Sequence, residues 1–292
     1  MDPDQAWEKM EELEKTYKAT LGQNPLRVFI SYSTEDGKEI AGAFKRSLTD
    51  FELNVFLAHE DMPAGKEFEK GIIKEIQKTD VFIPIITKGF MSSHYCDQET
   101  GIAVGCDSLI VPVKVDLIPQ GFINRIHAIK TDRERFIGNI THGSNSEGLY
   151  LRNKPHLMQN VKQIFQRMLE TPQLKDRTLN TLVEGIYLSG SFKETEDKID
   201  MLEGVLDHLN PQQLNNLALG GIRNSQVNQC FRAQNVLRKV FSEKRELLEL
   251  SLLANLKSEK LTGYPSMKQR VSYLNTSINK ETTSFINGVP FS

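Results

Sequence analysis

Arg27-Val28-Phe29-Ile30-Ser31-Tyr32-Ser33, closed by Asp36, is the stretch on which the reading of this chain turns. The unbroken apolar centre reads as a strand covered on both faces, and the hydroxyl residues fall at its carboxyl end. Further along, Ser93-His94-Tyr95-Cys96-Asp97-Gln98-Glu99 sets an aromatic ring and a carboxylate at a spacing that shares one face of a helix.

Outward from the first stretch, residues 26–130 alternate short apolar runs with helical periodicity. Strands are expected at 26–32, 55–57, 81–86, 109–113 and 126–129, and helices at 37–51, 66–78 and 92–104. Ile40, Ala43, Phe44 and Leu48 mark the buried face of the first helix, and Phe68, Ile72, Ile73 and Ile76 that of the second. Continuous rather than alternating apolar runs predict an α/β fold, a flavodoxin-like five-stranded parallel sheet with flanking helices. Pro84 and Pro112 remove ladder donors inside such runs and are read as strand ends or bulges. In a sheet of this kind the ligand cleft lies at the carboxyl ends of the strands. Ser31, Ser33, residues 58–61 and the loop before Ser92 fall there. Residues 141–148 read as a surface loop. A helix follows over 151–169 with Leu157, Val161, Ile164, Phe165 and Met168 on its inner face, and Thr171-Pro172 ends it.

The flanks differ in character. Residues 2–22 predict one amphipathic helix, with Asp2 as N-cap, Pro3 at the first position, Gln5 completing a capping box, and Gly22 and Pro25 ending it. Its stripe of Trp7, Met10, Leu13, Tyr17 and Leu21 is expected to dock on the protein's own body, with self-association as the second reading. From Leu174 onward the pattern is helical: 179–188, 198–209, 212–219 and a long stretch over 231–256. Val236, Leu237, Val240, Phe241, Leu247 and Leu248 give that long stretch an apolar face. The domain organisation expected is therefore an N-terminal helix (1–23), an α/β domain (24–170), and an all-α C-terminal domain (174–292) for regulation or oligomerisation.

The bulk numbers exclude several classes. With 292 residues the chain holds two ordinary domains. Lys plus Arg is 36 against 38 for Asp plus Glu, a net charge of −2, so no basic footprint marks a nucleic-acid binder. No run approaches the roughly eighteen consecutive apolar residues of a membrane span, and the acidic start lacks a secretory apolar core. Cys96, Cys106 and Cys230 are odd in number and without C-x-x-C spacing, which argues against a disulfide framework or a structural zinc site. A cytoplasmic location is expected.

The Ile30-Ser31-Tyr32-Ser33 strand end and the Tyr95-Cys96-x-x-Glu99 helix together resemble the Toll/interleukin-1 receptor (TIR) domain family, over about residues 24–170. In that family an (F/I)-S-(Y/F)-S strand end and a (W/Y)-C-x-x-E helix border one cleft, and in its enzymatic members the cleft cleaves NAD. The resemblance implies Glu99 as the catalytic residue. It implies Ser31, Tyr32, Ser33, Asp36, Asp61, Met62, Tyr95 and Cys96 as substrate-binding residues. Tyr95 stands where the enzymes more commonly carry Trp. The segment His59-Glu60-Asp61-Met62-Pro63-Ala64-Gly65-Lys66 matches the family's BB loop, which gates the cleft and contacts the next copy in an assembly. NAD is expected as substrate, with no cofactor and no metal.

The chemistry suits a single carboxylate. Nicotinamide leaves NAD as a neutral molecule from a cationic precursor and needs no protonating acid, so one carboxylate beside the ribosyl cation suffices. Helix capping explains Ser33 and Asp36 as well as substrate contact does. Ala64-Gly65-Lys66-Glu67 lacks the leading Gly and the Ser or Thr of a P-loop, and no G-x-G-x-x-G follows a strand. His94 beside Cys96 has no second ligand cluster and no base to activate the thiol. Asn139-Ile140-Thr141 and Asn275-Thr276-Ser277 are glycosylation patterns without an export signal. The expected function is a NAD glycohydrolase yielding nicotinamide and ADP-ribose, or a cyclic ADP-ribose. It is switched on by assembly and an unidentified ligand or protein, and resembles prokaryotic anti-phage effectors. The alternative is a non-catalytic adaptor that pairs with other TIR domains. The expected partners are NAD and further copies of the chain, through the TIR and helical parts. Neither a membrane nor a directly bound nucleic acid is expected.

Overall fold

The structure, a computed structural model, describes residues 3–57, 68–133 and 146–257. Strands β1 (Arg27–Ser31), β2 (Asn54–Leu57), β3 (Val81–Ile86), β4 (Leu109–Ile110), β5 (Val113–Lys114) and β6 (Ile129–Lys130) form one sheet of order β2-β1-β3-β5-β6, with β4 also on β3. Every pairing is parallel. The connections carry α2 (Lys38–Thr49), α3 (Phe68–Gln77), α4 (Lys88–Ser92) and α5 (His94–Gly105). A 3₁₀ turn at Gly121–Ile123 precedes β6.

The continuous apolar runs are what the sheet requires. β3 is buried at every position, and Phe29 of β1 stacks between Phe56 and Phe82, at 5.3 and 5.6 Å between ring centroids. Helix α6 (Ser146–Glu170) buries Leu157, Val161, Ile164, Phe165 and Met168, and Phe165 meets Phe51 at 5.3 Å. The expected parallel five-strand arrangement is present, with its fourth strand divided in two. Pro112 makes that division, as expected of a proline in such a run. Pro84 differs from expectation, because it lies inside β3. The missing N–H is tolerated there because the ladder on that side of β3 is interrupted: β4 pairs last with Phe82 and β5 first with Ile85.

At the amino ends of the strands, Asp80 fastens several segments. It accepts from the Arg27 amide at 2.8 Å and from both terminal nitrogens of Arg177 at 2.6 and 2.9 Å. Arg177 also donates to the Pro25 carbonyl at 3.2 Å. This fork-to-fork pair is the strong form of an ion pair. Arg177 lies on α7 (Pro172–Leu188), so the α/β unit reaches past the break at Thr171.

The chain divides into two compact units along lines different from the expected 1–23, 24–170 and 174–292. One unit is residues 24–181, and the other joins the residues up to Gln23 with those from Leu182 on. The division falls inside α7. In the second unit α1 (Pro3–Thr20) packs against α12 (Leu250–Lys257) with Ala6, Met10 and Tyr17 buried, so its stripe docks on the body as expected. Tyr17 meets Tyr187 edge-on at 5.2 Å, Tyr187 Oη donates to Glu14 at 2.9 Å, and Arg223 pairs with Glu14 at 2.7 Å. Gly22 turns the chain out of α1 with φ 67°, where any Cβ would be strained. The Asp2 cap lies outside the described residues.

The remaining helices of this unit are α8 (Phe192–Leu202), α9 (Pro211–Arg223), α10 (Ser225–Gln229) and α11 (Phe231–Glu243). The fully buried Lys198 is satisfied by the Gly185 carbonyl at 3.0 Å and the Glu194 carboxylate at 2.5 Å. The long helix expected over 231–256 is broken into α11, a 3₁₀ turn at Arg245–Leu247 and α12. Asn215 of α9 makes the break: its side chain accepts from the Glu249 amide at 2.7 Å and donates to the Leu247 carbonyl. The break buries Val236, Leu237, Val240, Phe241 and Leu248, while Leu247 is left exposed. Most of that apolar face is packed inside the unit, while Phe231 and Leu250 of the same stretch are exposed.

Candidate functional site

Two elements bring the central pair together. β1 runs between β2 and β3, so its last residue, Ser31, is fully buried at the carboxyl edge of the sheet. Helix α5 starts at Ser93, whose hydroxyl accepts from the Cys96 amide at 3.3 Å as an N-cap. The helix then turns Cys96, Glu99, Thr100 and Ala103 inward. Ser31 Oγ donates to Glu99 Oε2 at 2.5 Å.

Glu99 is only 5% exposed. Burial penalises its charged form and pushes the carboxyl up to about 7, while the Ser31 hydrogen bond pulls the other way. Near neutral pH the group is therefore divided between acid and carboxylate. Burial pushes the neighbouring Cys96 thiol up to about 11, against hydrogen bonds with Ser93 and Ser31, and the charge of Glu99 adds to the rise. A thiol held neutral in this way is a packing group rather than a nucleophile.

The other residues expected at the site separate into distinct roles. Tyr32 is buried in the core, 2% exposed. The Ser33 hydroxyl accepts from the Glu35 amide at 3.3 Å. Tyr95, at 56% exposed, projects to solvent one turn before Glu99. Asp61 and Met62, with the whole BB-loop match, lie outside the described residues. Asp36 does not cap the helix that follows it; Gly37 is the N-cap of α2 and makes no side-chain cap bond. Its carboxylate instead accepts from Thr87 Oγ1 at 2.6 Å and the Gly89 amide at 2.8 Å, across the sheet at the end of β3.

Arg133, Asp116, Thr87 and Gly89 were missed by the sequence reading. Arg133 forks onto Asp116 at 3.1 and 2.7 Å and donates to the Asp36 carbonyl at 2.8 Å. Each residue stands just past the carboxyl end of a strand, where charged and small residues are the available signal. Among the described residues, no group of three or more His, Cys, Asp or Glu is placed to hold a metal. No helix among them is long and apolar enough to cross a membrane.

Residues 28–139 match the family model of the TIR domain. This segment is a TIR domain. Solved structures similar to the chain are TIR domains too. One is the TIR domain of the Toll-related receptor TRR-2 from Hydra magnipapillata, at 20% identity and a TM-score of 0.30, covering 35% of this chain and 82% of that one. Another is the TIR domains of the activated Roq1 resistosome that recognises the effector XopQ, at 17% identity and a TM-score of 0.31, covering 62% and 99%. No curated protein matches the sequence. The Ser31–Glu99 pair lies inside the matched TIR segment, and the helical residues beyond it lie outside.

Proposed function

We propose that the protein is a NAD glycohydrolase. Supporting this most directly, Glu99 is buried and hydrogen-bonded to Ser31 at the carboxyl edge of a parallel sheet. An ionisable group so placed costs stability and is a mark of a working site. In the proposed reaction the bond between nicotinamide and C1′ of the ribose breaks, and nicotinamide leaves with the bonding pair. The Glu99 carboxylate stabilises the positive charge that develops on the ribose. Water then adds to C1′ and releases a proton, giving ADP-ribose; capture by an adenine nitrogen instead would give the cyclic product. Ser31 keeps a share of Glu99 ionised at neutral pH. Tyr95 offers an exposed ring on which a flat base can stack.

A second reading, an adaptor acting through TIR–TIR association, draws support from exposed apolar side chains on the TIR segment. Phe122 is 81% and Ile118 65% exposed. The two readings share assembly and differ in chemistry. Incubating the full chain with NAD, dilute and crowded, and measuring free nicotinamide separates them. Nicotinamide release that Glu99→Gln abolishes supports the enzyme. No release at any protein concentration leaves the adaptor.

A further inference from the structure

The carboxyl edge of the sheet carries a set of bonds that touch neither Ser31 nor Glu99. Thr87, at the end of β3, is the N-cap of α4: its Oγ1 accepts from the Phe90 amide at 3.1 Å and donates to Asp36 at 2.6 Å. Asp36 accepts at its second oxygen from the Gly89 amide. Ser93 then serves both as the C-cap of α4 and as the N-cap of α5. Helix α5 is thus hung from α4, and α4 is hung from Asp36.

Arg133, just past β6, closes the set by gripping the Asp36 carbonyl and the Asp116 carboxylate beyond β5. A cation forked onto one carboxylate and set 3.7 Å from another loses little by being partly buried. The fit at α4 is tight: a Cβ on Gly89 would lie 2.6 Å from both Asp36 Oδ1 and Ser33 Oγ. Both Asp36 oxygens are engaged by the protein's own groups, which argues against a substrate contact.

We propose that Asp36 and Arg133 are positioning residues for Glu99: they tie the ends of β1, β3, β5 and β6 together and so fix where α5 presents its carboxylate to Ser31. This role rests on the catalytic reading of Glu99, but its geometric part can be tested without it. Asp36→Asn keeps size and one acceptor but removes the charge on which the Thr87 hydroxyl, the Gly89 amide and Arg133 converge, which loosens the hold on α4. Arg133→Lys keeps the charge and loses the fork.

The full chain, labelled with ¹³C at glutamate carboxyls, is titrated by NMR, with Glu99→Gln identifying the signal. The expected wild-type midpoint is about 7. In Asp36→Asn and Arg133→Lys it falls by about one pH unit or more as water reaches the carboxylate. Among the described residues, the groups in contact with Glu99 are the Ser31 hydroxyl from β1 and the Cys96 thiol on its own helix, and neither titrates in that range in the folded protein. Steady-state kinetics with NAD form the second arm: about a tenfold loss in kcat is expected with KM within about twofold. An unchanged Glu99 midpoint in both folded variants overturns the proposal, as does a raised KM with kcat kept, which is the signature of a substrate contact. If wild-type protein releases no nicotinamide, the glycohydrolase reading fails alone and the titration still decides the positioning role. If Asp36→Asn does not fold, Arg133→Lys carries the test.

Discussion

The Ser31 hydroxyl and the Glu99 carboxylate, 68 residues apart in sequence, meet at 2.5 Å at the carboxyl edge of the sheet. The contact joins the last residue of a central strand to the inner face of a helix, and it has consequences for rate, pH response and stability.

Glu99→Gln is expected to lower the rate of nicotinamide release by roughly 10²-fold or more, as loss of one electrostatic contact to a transition state does. The amide still accepts from Ser31, so the fold is kept. A folded Gln variant with wild-type turnover would remove Glu99 from the active site.

Ser31→Ala acts through the same carboxylate with the opposite emphasis. The Ser31 hydrogen bond favours the ionised form, so its loss raises the Glu99 midpoint above about 7. Turnover at neutral pH should fall and recover in part at alkaline pH. A pH–rate profile displaced toward acid would contradict this assignment.

Stability should respond to pH through Glu99 with a definite sign. Its folded value, about 7, is above the ordinary 4.5, so the folded state binds the proton more tightly. The stabilisation is fully present below 4.5 and is lost as pH rises through 7. Glu99→Gln removes the dependence and is expected to stabilise the fold at pH about 8, by on the order of 2–3 kcal/mol, relative to wild type. Urea melts of both proteins at pH about 5 and 8 measure it; equal differences at the two pH values would show that Glu99 titrates normally.

The unit boundary inside α7 predicts how the chain can be cut. A fragment of residues 24–181 keeps the Arg177–Asp80 fork and should give cooperative unfolding. Residues 1–171 lose Arg177 and leave α1 without the helices it packs on, and should be less stable and prone to aggregate. Comparable melts and solubility for the two fragments would argue against the boundary.

Trp7 reports on α1 directly, being the only Trp of the chain. The Arg223 guanidinium lies 4.8 Å from its ring and pairs with Glu14. Arg223→Ala should cost about 1 kcal/mol and shift the Trp emission to longer wavelength as α1 loosens. Unchanged emission would mean that other contacts hold the helix.

What the sequence made legible, and what it did not, follows from the range of the interactions. β3 was read to the residue, because a buried parallel strand is a continuous apolar run with no polar face to confuse it. The inner faces of α2 and α6 were equally plain from their spacing. The burial of Glu99 was not, since α5 mixes polar and apolar residues around its whole circumference, and only the partner strand decides which side is inside. The Arg133–Asp36 contact spans 97 residues and leaves no local pattern at either end. The break after Glu243 was hidden for the same reason, its cause being Asn215 on another helix.

The pairing of α1 with α12 also fixes an order of events on the ribosome. Helix α1 emerges ahead of the TIR segment, yet its packing partner begins only at Leu250. The TIR segment is continuous in sequence and has all its strands available long before then, so it folds first, between two halves of a unit still waiting to close. Throughout that interval Met10 and Tyr17, buried in the finished unit, lack the helix that covers them.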